Sequence, residues 1–228
     1  MVTYTQFAER LARGQLKNTA AVESTNLGEI VPDYADTIRN LTNQGLVDIT
    51  TRLPVIKRLV DLTFVDDQFV YPMVVAGAYL STTGLDTFVD EQFVKVLDVY
   101  DADGKRYQPN SGGHITTPVY NSLRFTAAYM DDDTGLGPTV RVQYQAKHLE
   151  IIEANDDDEI LIPPNMIQAL QLFVASQYIT DMGGKDNIAR GDSYYAMYLR
   201  AVSDDIVNNA SGISEVEEDT RFDDQGFV

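Results

Sequence analysis

The sequence predicts an α+β fold, and three observations carry the prediction. Apolar residues recur at spacings of three and four in residues 1–16 and again from Pro32 toward residue 52. They switch to alternation at Leu53-Pro54 and return to helical spacing after Ile160. With helices on both sides of a β-rich block, the economical architecture is an α-helical bundle with an inserted antiparallel β-sheet or barrel domain and an extended acidic C-terminal tail. The expected parts are 1–52, the N-terminal helices of the bundle; 53–159, the inserted β-rich domain; 160–208, a helical hairpin completing the bundle; and 209–228, an extended C-terminal arm.

Thr3 or Thr5 is placed to cap a first helix with Phe7, Leu11 and Leu16 on one side. Gly14 weakens it, by about 1 kcal/mol relative to Ala in a helix interior. Residues 17–28 are rich in Asn, Thr, Ala and Ser without a period, and read as a loop or arm. A second helix begins near Pro32, with Tyr34, Ile38, Leu41, Leu46 and Ile49 on its apolar face.

In the β block, Ile56, Val60, Leu62 and Phe64 alternate with Val55, Lys57, Leu59, Asp61 and Thr63. The run FVKVLDVYDADGKRY (93–107) reads as a hairpin, because Asp101 and Gly104 tolerate the positive φ of a tight turn. Leu123, Phe125 and Ala127 alternate with Arg124 and Thr126. Val140, Val142, Tyr144 and Ala146 alternate with Arg141, Gln143, Gln145 and Lys147, the cleanest half-buried strand in the chain.

Pro163 and Pro164 suit a first helical turn, where a missing N–H costs nothing. Met166, Leu170, Phe173, Val174 and Tyr178 then mark one apolar face. Met182-Gly183-Gly184 ends that helix, and Asp186 is placed to cap the next. Its face is Tyr195, Leu199, Val202 and Ile206, with Tyr194, Tyr198 and Ala201 beside them, so the two helices are expected to pack antiparallel. The last stretch, SGISEVEEDTRFDDQGFV, cannot bury enough surface to fold alone. It reads either as a solvated end or as an arm that orders on a partner through Ile213, Val216, Phe222, Phe227 and Val228.

With 228 residues, 44% of them hydrophobic, the chain is long enough for a real core. A formal charge of −18 argues against generic binding of DNA or anionic membrane. There is no cysteine, hence no disulfide or thiolate site. No run approaches the roughly 18 apolar residues of a membrane span, and Met1 leads into a polar helical pattern, so synthesis inside the cell is expected.

Candidate chemistry is sparse. Asp98, Asp101, Asp103 and Gly104 resemble the start of a calcium loop, but Lys105 and Arg106 follow where ligands should fall and no Glu closes the loop, so a hairpin turn is the stronger reading. Asp131-Asp132-Asp133 and Asn155-Asp156-Asp157-Asp158-Glu159 read as solvated charge runs. His114 and His148 lack a nucleophile setting and read as surface histidines. Gly135-Leu136-Gly137 and Gly183-Gly184-Lys185-Asp186 read as turns and caps rather than phosphate loops. No catalytic residue, metal or cofactor is expected.

The order of FVKVLDVYDADGKRYQPN, TTPVYNSLRF, VRVQYQAKHLEII, ILIPPNMIQALQLFVASQYITDMGG and DSYYAMYLRAVSDDI resembles the head-to-tail adaptor (connector) proteins of tailed bacteriophages, most like those of short-tailed phages, over Tyr34 to Ile206. The resemblance implies a virion protein assembled in the host cytoplasm. It would form a homo-oligomeric ring, commonly of twelve copies, between the portal protein and the tail nozzle, with genomic DNA passing through the lumen without sequence-specific binding. Our own expectation, beyond what the resemblance implies, is that the portal would receive the C-terminal residues Ile213, Val216, Phe222, Phe227 and Val228. Leu170, Phe173, Tyr195, Leu199, Val202 and Ile206 would build the bundle and the subunit interface. Tyr100, Asp101, Asp103 and Tyr107 would face the nozzle or tail fibres. Neither the long acidic tail nor the loop from Gly77 to Gln92 is mapped onto the family pattern. The alternative is a monomeric α+β module that binds a carbohydrate or a cation.

Overall fold

A computed structural model describes residues 2–23, 28–74, 79–81, 90–127, 138–153, 157 and 159–208. Among them the fold is mixed α and β. Its elements are β1 (Val2–Thr3), α1 (Tyr4–Arg13), α2 (Pro32–Arg52), β2 (Lys57–Thr63), β3 (Val70–Pro72), β4 (Leu80–Ser81), β5 (Phe93–Tyr100), β6 (Arg106–Tyr107), β7 (Ile115–Thr116), β8 (Ser122–Phe125), β9 (Thr139–Ala146), β10 (Glu159–Ile160), α3 (Pro164–Asp181) and α4 (Lys185–Asn208). None of the described helices is long and apolar enough to cross a membrane.

The chain divides into two compact units, one of Met1–Thr5 with Thr42–Leu161, the other of Gln6–Leu41 with the chain from Ile162 onward. One division falls at Thr5/Gln6, inside α1, and the next at Leu41/Thr42, inside α2 and ahead of the expected 52/53. The reason for the second lies in hydrogen bonds that a helical period does not reveal. Asn43 exchanges two 2.9 Å bonds with the backbone of Ile151, and the Gln145 amide donates to the carbonyls of Thr50 and Thr51. Residues 42–52 therefore belong with the β unit.

In that unit, all pairings are antiparallel. A five-stranded sheet has the order β4-β2-β9-β5-β6, a three-stranded sheet β3-β8-β7, and β1 pairs with β10. One face of each larger sheet feeds a shared core. Val60 and Leu62 on β2, Val99 on β5, and Val140, Val142 and Tyr144 on β9 meet Tyr71, Leu123 and Phe125 from β3 and β8. Phe64, just past β2, stacks edge-on against Phe125 at 4.9 Å, and Phe125 lies 5.8 Å from Tyr71. The Tyr71 hydroxyl accepts the Val65 N–H at 3.0 Å and donates to the Val65 carbonyl, which satisfies a polar tip in an otherwise apolar setting; burial raises its pKa. The arrangement is two open sheets and not a closed barrel. Alternation along β9 correctly marks one covered face, but it carries no information on whether outer strands meet. The outer strands β4, β6 and β7 are two residues long, and β3 carries Pro72, which has no N–H to donate. Ala127, expected to continue the β8 alternation, lies beyond the strand and is exposed.

In the other unit, α3 is buried around most of its circumference: Met166, Ile167, Leu170, Leu172, Phe173, Val174, Ser176, Tyr178 and Ile179 are all covered. The single apolar face expected for it was too narrow, because α3 has neighbours on several sides. Tyr178 meets Tyr34 of α2 edge-on at 6.0 Å, and Phe173 meets Tyr198 of α4 at 5.2 Å. Pro163 occupies the N-cap and Pro164 the first helical position. Gly183 and Gly184, at φ 70° and 85°, make the link. Asp186 sits inside the first turn of α4 rather than before it, where a carboxylate still complements the helix dipole.

The covered face of α4 is centred on Gly191, Tyr198, Val202 and Asp205. It is rotated from the expected Tyr195, Leu199, Val202 and Ile206. Tyr195 and Leu199 are half-buried, and Ile206 is 50% exposed. Two contacts fix the rotation. Gly191 lets α4 approach Ser176 and Thr180 of α3, and the Asn165 amide donates to the Asp205 carboxylate at 2.6 Å.

Candidate functional site

The outward face of the five-stranded sheet is built by the polar half of the same alternation that makes the core. On β2 it presents Leu59 and Asp61, on β9 Thr139, Arg141 and Gln143, and at the end of β5 Tyr100. Register brings them together: Leu59 lies opposite Gln143, and Arg141 stands opposite Asp61 on one side and Tyr100 on the other. The Arg141 Nε–H donates to Asp61 at 2.9 Å; this bond first, and the carboxylate charge second, raise the arginine's pKa.

The β5–β6 turn walls one end. Asp101 Oδ1 accepts the N–H groups of Asp103 (3.0 Å) and Lys105 (2.8 Å), and its Oδ2 accepts the Tyr107 hydroxyl at 3.1 Å. Gly104, at φ 83°, closes the turn with its N–H on the Asp101 carbonyl. Tyr107 has its pKa raised by burial and then by Asp101, against the opposing effect of Lys105, whose Nζ lies 5.2 Å above its ring. Behind the turn, the buried Asp98 accepts from Arg106 Nε at 2.8 Å. The outward sheet face and the Asp101–Gly104 turn together border a cleft of about 550 Å³.

Of the four residues assigned to a tail-facing role, Tyr100 and Asp101 line this cleft, Tyr107 steadies Asp101, and Asp103 is an exposed turn residue. The Asp-rich run is a hairpin turn: Asp98 goes to an arginine and Asp101 to backbone N–H groups. Among the described residues, no set of three or more His, Asp or Glu is placed to hold a metal ion. Asp61, Arg141 and Gln143 were visible in the sequence only as the polar half of two strands. Their pairing depends on β2–β9 register, between residues 80 apart. Ile213, Val216, Phe222, Phe227 and Val228 lie outside the described residues, as do Asp131–Asp133, Gly135–Gly137, Asn155, Asp156 and Asp158.

In the other unit, Leu170, Phe173 and Val202 are buried. On the flank of α4 next to its covered face, Ile188, Tyr195, Leu199 and Ile206 fall in one stripe, with Ile188 45% and Ile206 50% exposed.

His114 is exposed, as expected, but His148 is buried. Its Nε2 accepts the Leu161 N–H at 2.8 Å, so the neutral ring carries its proton on Nδ1 and donates to the Leu149 carbonyl. Burial lowers its pKa, Arg58 adds to the effect, and the Leu149 bond opposes it. With the folded pKa below the roughly 6.5 of an unfolded chain, the stability this histidine contributes is complete above that pH and is lost as pH falls through the folded value. Urea unfolding between pH 7.5 and 5.5 is expected to show a decline of at most about 1.4 kcal/mol per pH unit, the limit for uptake of one proton. H148Q should flatten the decline and H114Q should leave it. An equal slope in H148Q would show that other groups set the dependence.

No protein-family model and no curated protein matches the chain.

Proposed function

We propose that this chain is a structural virion protein, a head-to-tail adaptor that forms a ring of identical copies between portal and tail nozzle, with DNA passing through the lumen. On this reading the helices form a bundle that makes the ring wall, and the inserted β unit carries the face turned toward the nozzle or tail fibres. The reading starts from the resemblance in motif order. The observation that carries it further is the α4 stripe of Ile188, Tyr195, Leu199 and Ile206, apolar surface that one copy leaves partly open and a neighbouring copy in a ring would cover. The charge of −18 is in keeping with a conduit, since a basic lumen would hold a polyanion in transit.

Native mass spectrometry and negative-stain imaging of the full chain, alone and with a portal protein from the same viral genome, test the proposal. A closed ring on the portal is expected. I188D and I206D, both at exposed positions, should lower assembly at least about tenfold while leaving helical circular dichroism unchanged. A chain that stays monomeric and ignores the portal would overturn the reading. Portal binding that survives removal of residues 211–228 would remove the role assigned to Ile213, Val216, Phe222, Phe227 and Val228.

A further inference from the structure

We propose that the cleft on the outward face of the five-stranded sheet is a binding site for a neutral saccharide, with Tyr100, Arg141 and Gln143 as its recognition groups and Asp61 orienting Arg141. The inference is independent of the adaptor reading. The cleft's volume, about 550 Å³, suits one or two sugar rings. The chemistry of its walls removes the other ligand classes one at a time.

A hard cation needs several available carboxylate oxygens. Asp101 has both oxygens engaged, by two N–H groups and a phenol, and Asp61 is held by Arg141. An anion would meet two carboxylates against one guanidinium already bound to one of them, on a chain of charge −18. A purely apolar ligand would strip water from the Asp61–Arg141 pair and the Gln143 amide without replacing its hydrogen bonds. A polyhydroxylated neutral ligand fits what remains. A guanidinium that donates and an amide that both donates and accepts can each engage vicinal hydroxyls, with Asp61 holding the guanidinium in place. Tyr100 and Leu59 supply surface for the C–H face of a pyranose ring. The groups are also pre-positioned: the Asp61 side chain is only 11% exposed and tied at 2.9 Å, and the turn beside it is closed by its own hydrogen bonds.

The test is an amide and side-chain NMR titration of the full chain with glucose, galactose, N-acetylglucosamine and their linear oligomers, with N-acetylneuraminic acid and inorganic phosphate as anionic comparisons. Shifts centred on Tyr100, Arg141 and Gln143 with a neutral sugar are expected. Y100A and Q143L should weaken binding at least about tenfold, and R141K, which keeps the charge but loses the planar fork, should weaken it too. Y120A, at an exposed position outside the cleft lining, should not. No shift with any neutral sugar, shifts unmoved by these variants, or binding of the anions in their place would overturn the proposal; a thermal melt of each variant separates lost binding from lost fold.

Discussion

Phe125→Ala is expected to lower the unfolding free energy by about 3–5 kcal/mol. Phe125 is 1% exposed and lies on β8 of the three-stranded sheet, yet its nearest aromatic partner is Phe64, which follows β2 of the five-stranded sheet. Tyr71 closes the same cluster and itself stacks on Tyr79 at 5.2 Å. Removing the ring therefore deletes contacts across both sheets and leaves a cavity that the surrounding β-strands cannot collapse to fill. Because one core serves both sheets, urea unfolding followed by tyrosine fluorescence and by circular dichroism should move together, with the midpoint lowered and the slope unchanged. A loss under about 1 kcal/mol, or a separate early transition for one sheet, would show that the two sheets are independent.

Gly191→Ala is expected to cost about 1–3 kcal/mol, the reverse of its helix-propensity effect. In an exposed helix the change would gain about 1 kcal/mol, because Gly has more backbone freedom to lose. Here a Cβ would run into the Thr180 hydroxyl and stand 2.9 Å from the Ser176 carbonyl oxygen of α3. The hydroxyl belongs to a side chain that can be shortened, whereas the carbonyl is fixed by its helix. T180A should consequently recover part of the loss in the double variant and not all of it, a coupling that chemical denaturation of the four proteins measures. Ser193→Ala, at an exposed position of the same helix, is the control and should stay within a few tenths of a kcal/mol. If G191A proves more stable than the parent, the close approach of α3 and α4 is wrong.

Elements were more legible in the sequence than their surroundings. The helical starts at Pro32 and Pro164, the β5–β6 turn at Asp101–Gly104, and the inward set Val140, Val142, Tyr144 and Ala146 all occur as read, since each depends on backbone chemistry or a period within a few neighbours. The face of α4 was misplaced because residues on both flanks of its covered stripe are apolar or aromatic, so periodicity alone could not separate Ile206 from Asp205. His148 was misjudged because its two ring partners, Leu149 and Leu161, are backbone groups that leave no mark in side-chain pattern.

What the sequence determined by itself was the α+β class, the order of the main helical and β segments, and the side of β2 and β9 that turns inward; these follow from local propensity and from periods of 3.6 and 2. What only the tertiary structure decided was the split of α2 between two units, the open pair of sheets over one core, the rotation of α4 about Gly191, and the meeting of Asp61, Arg141 and Tyr100 in one cleft. Each of these depends on which distant residues come to lie side by side. That is set by strand register and by the closeness of helix packing, two quantities that act between segments and are written in neither segment alone.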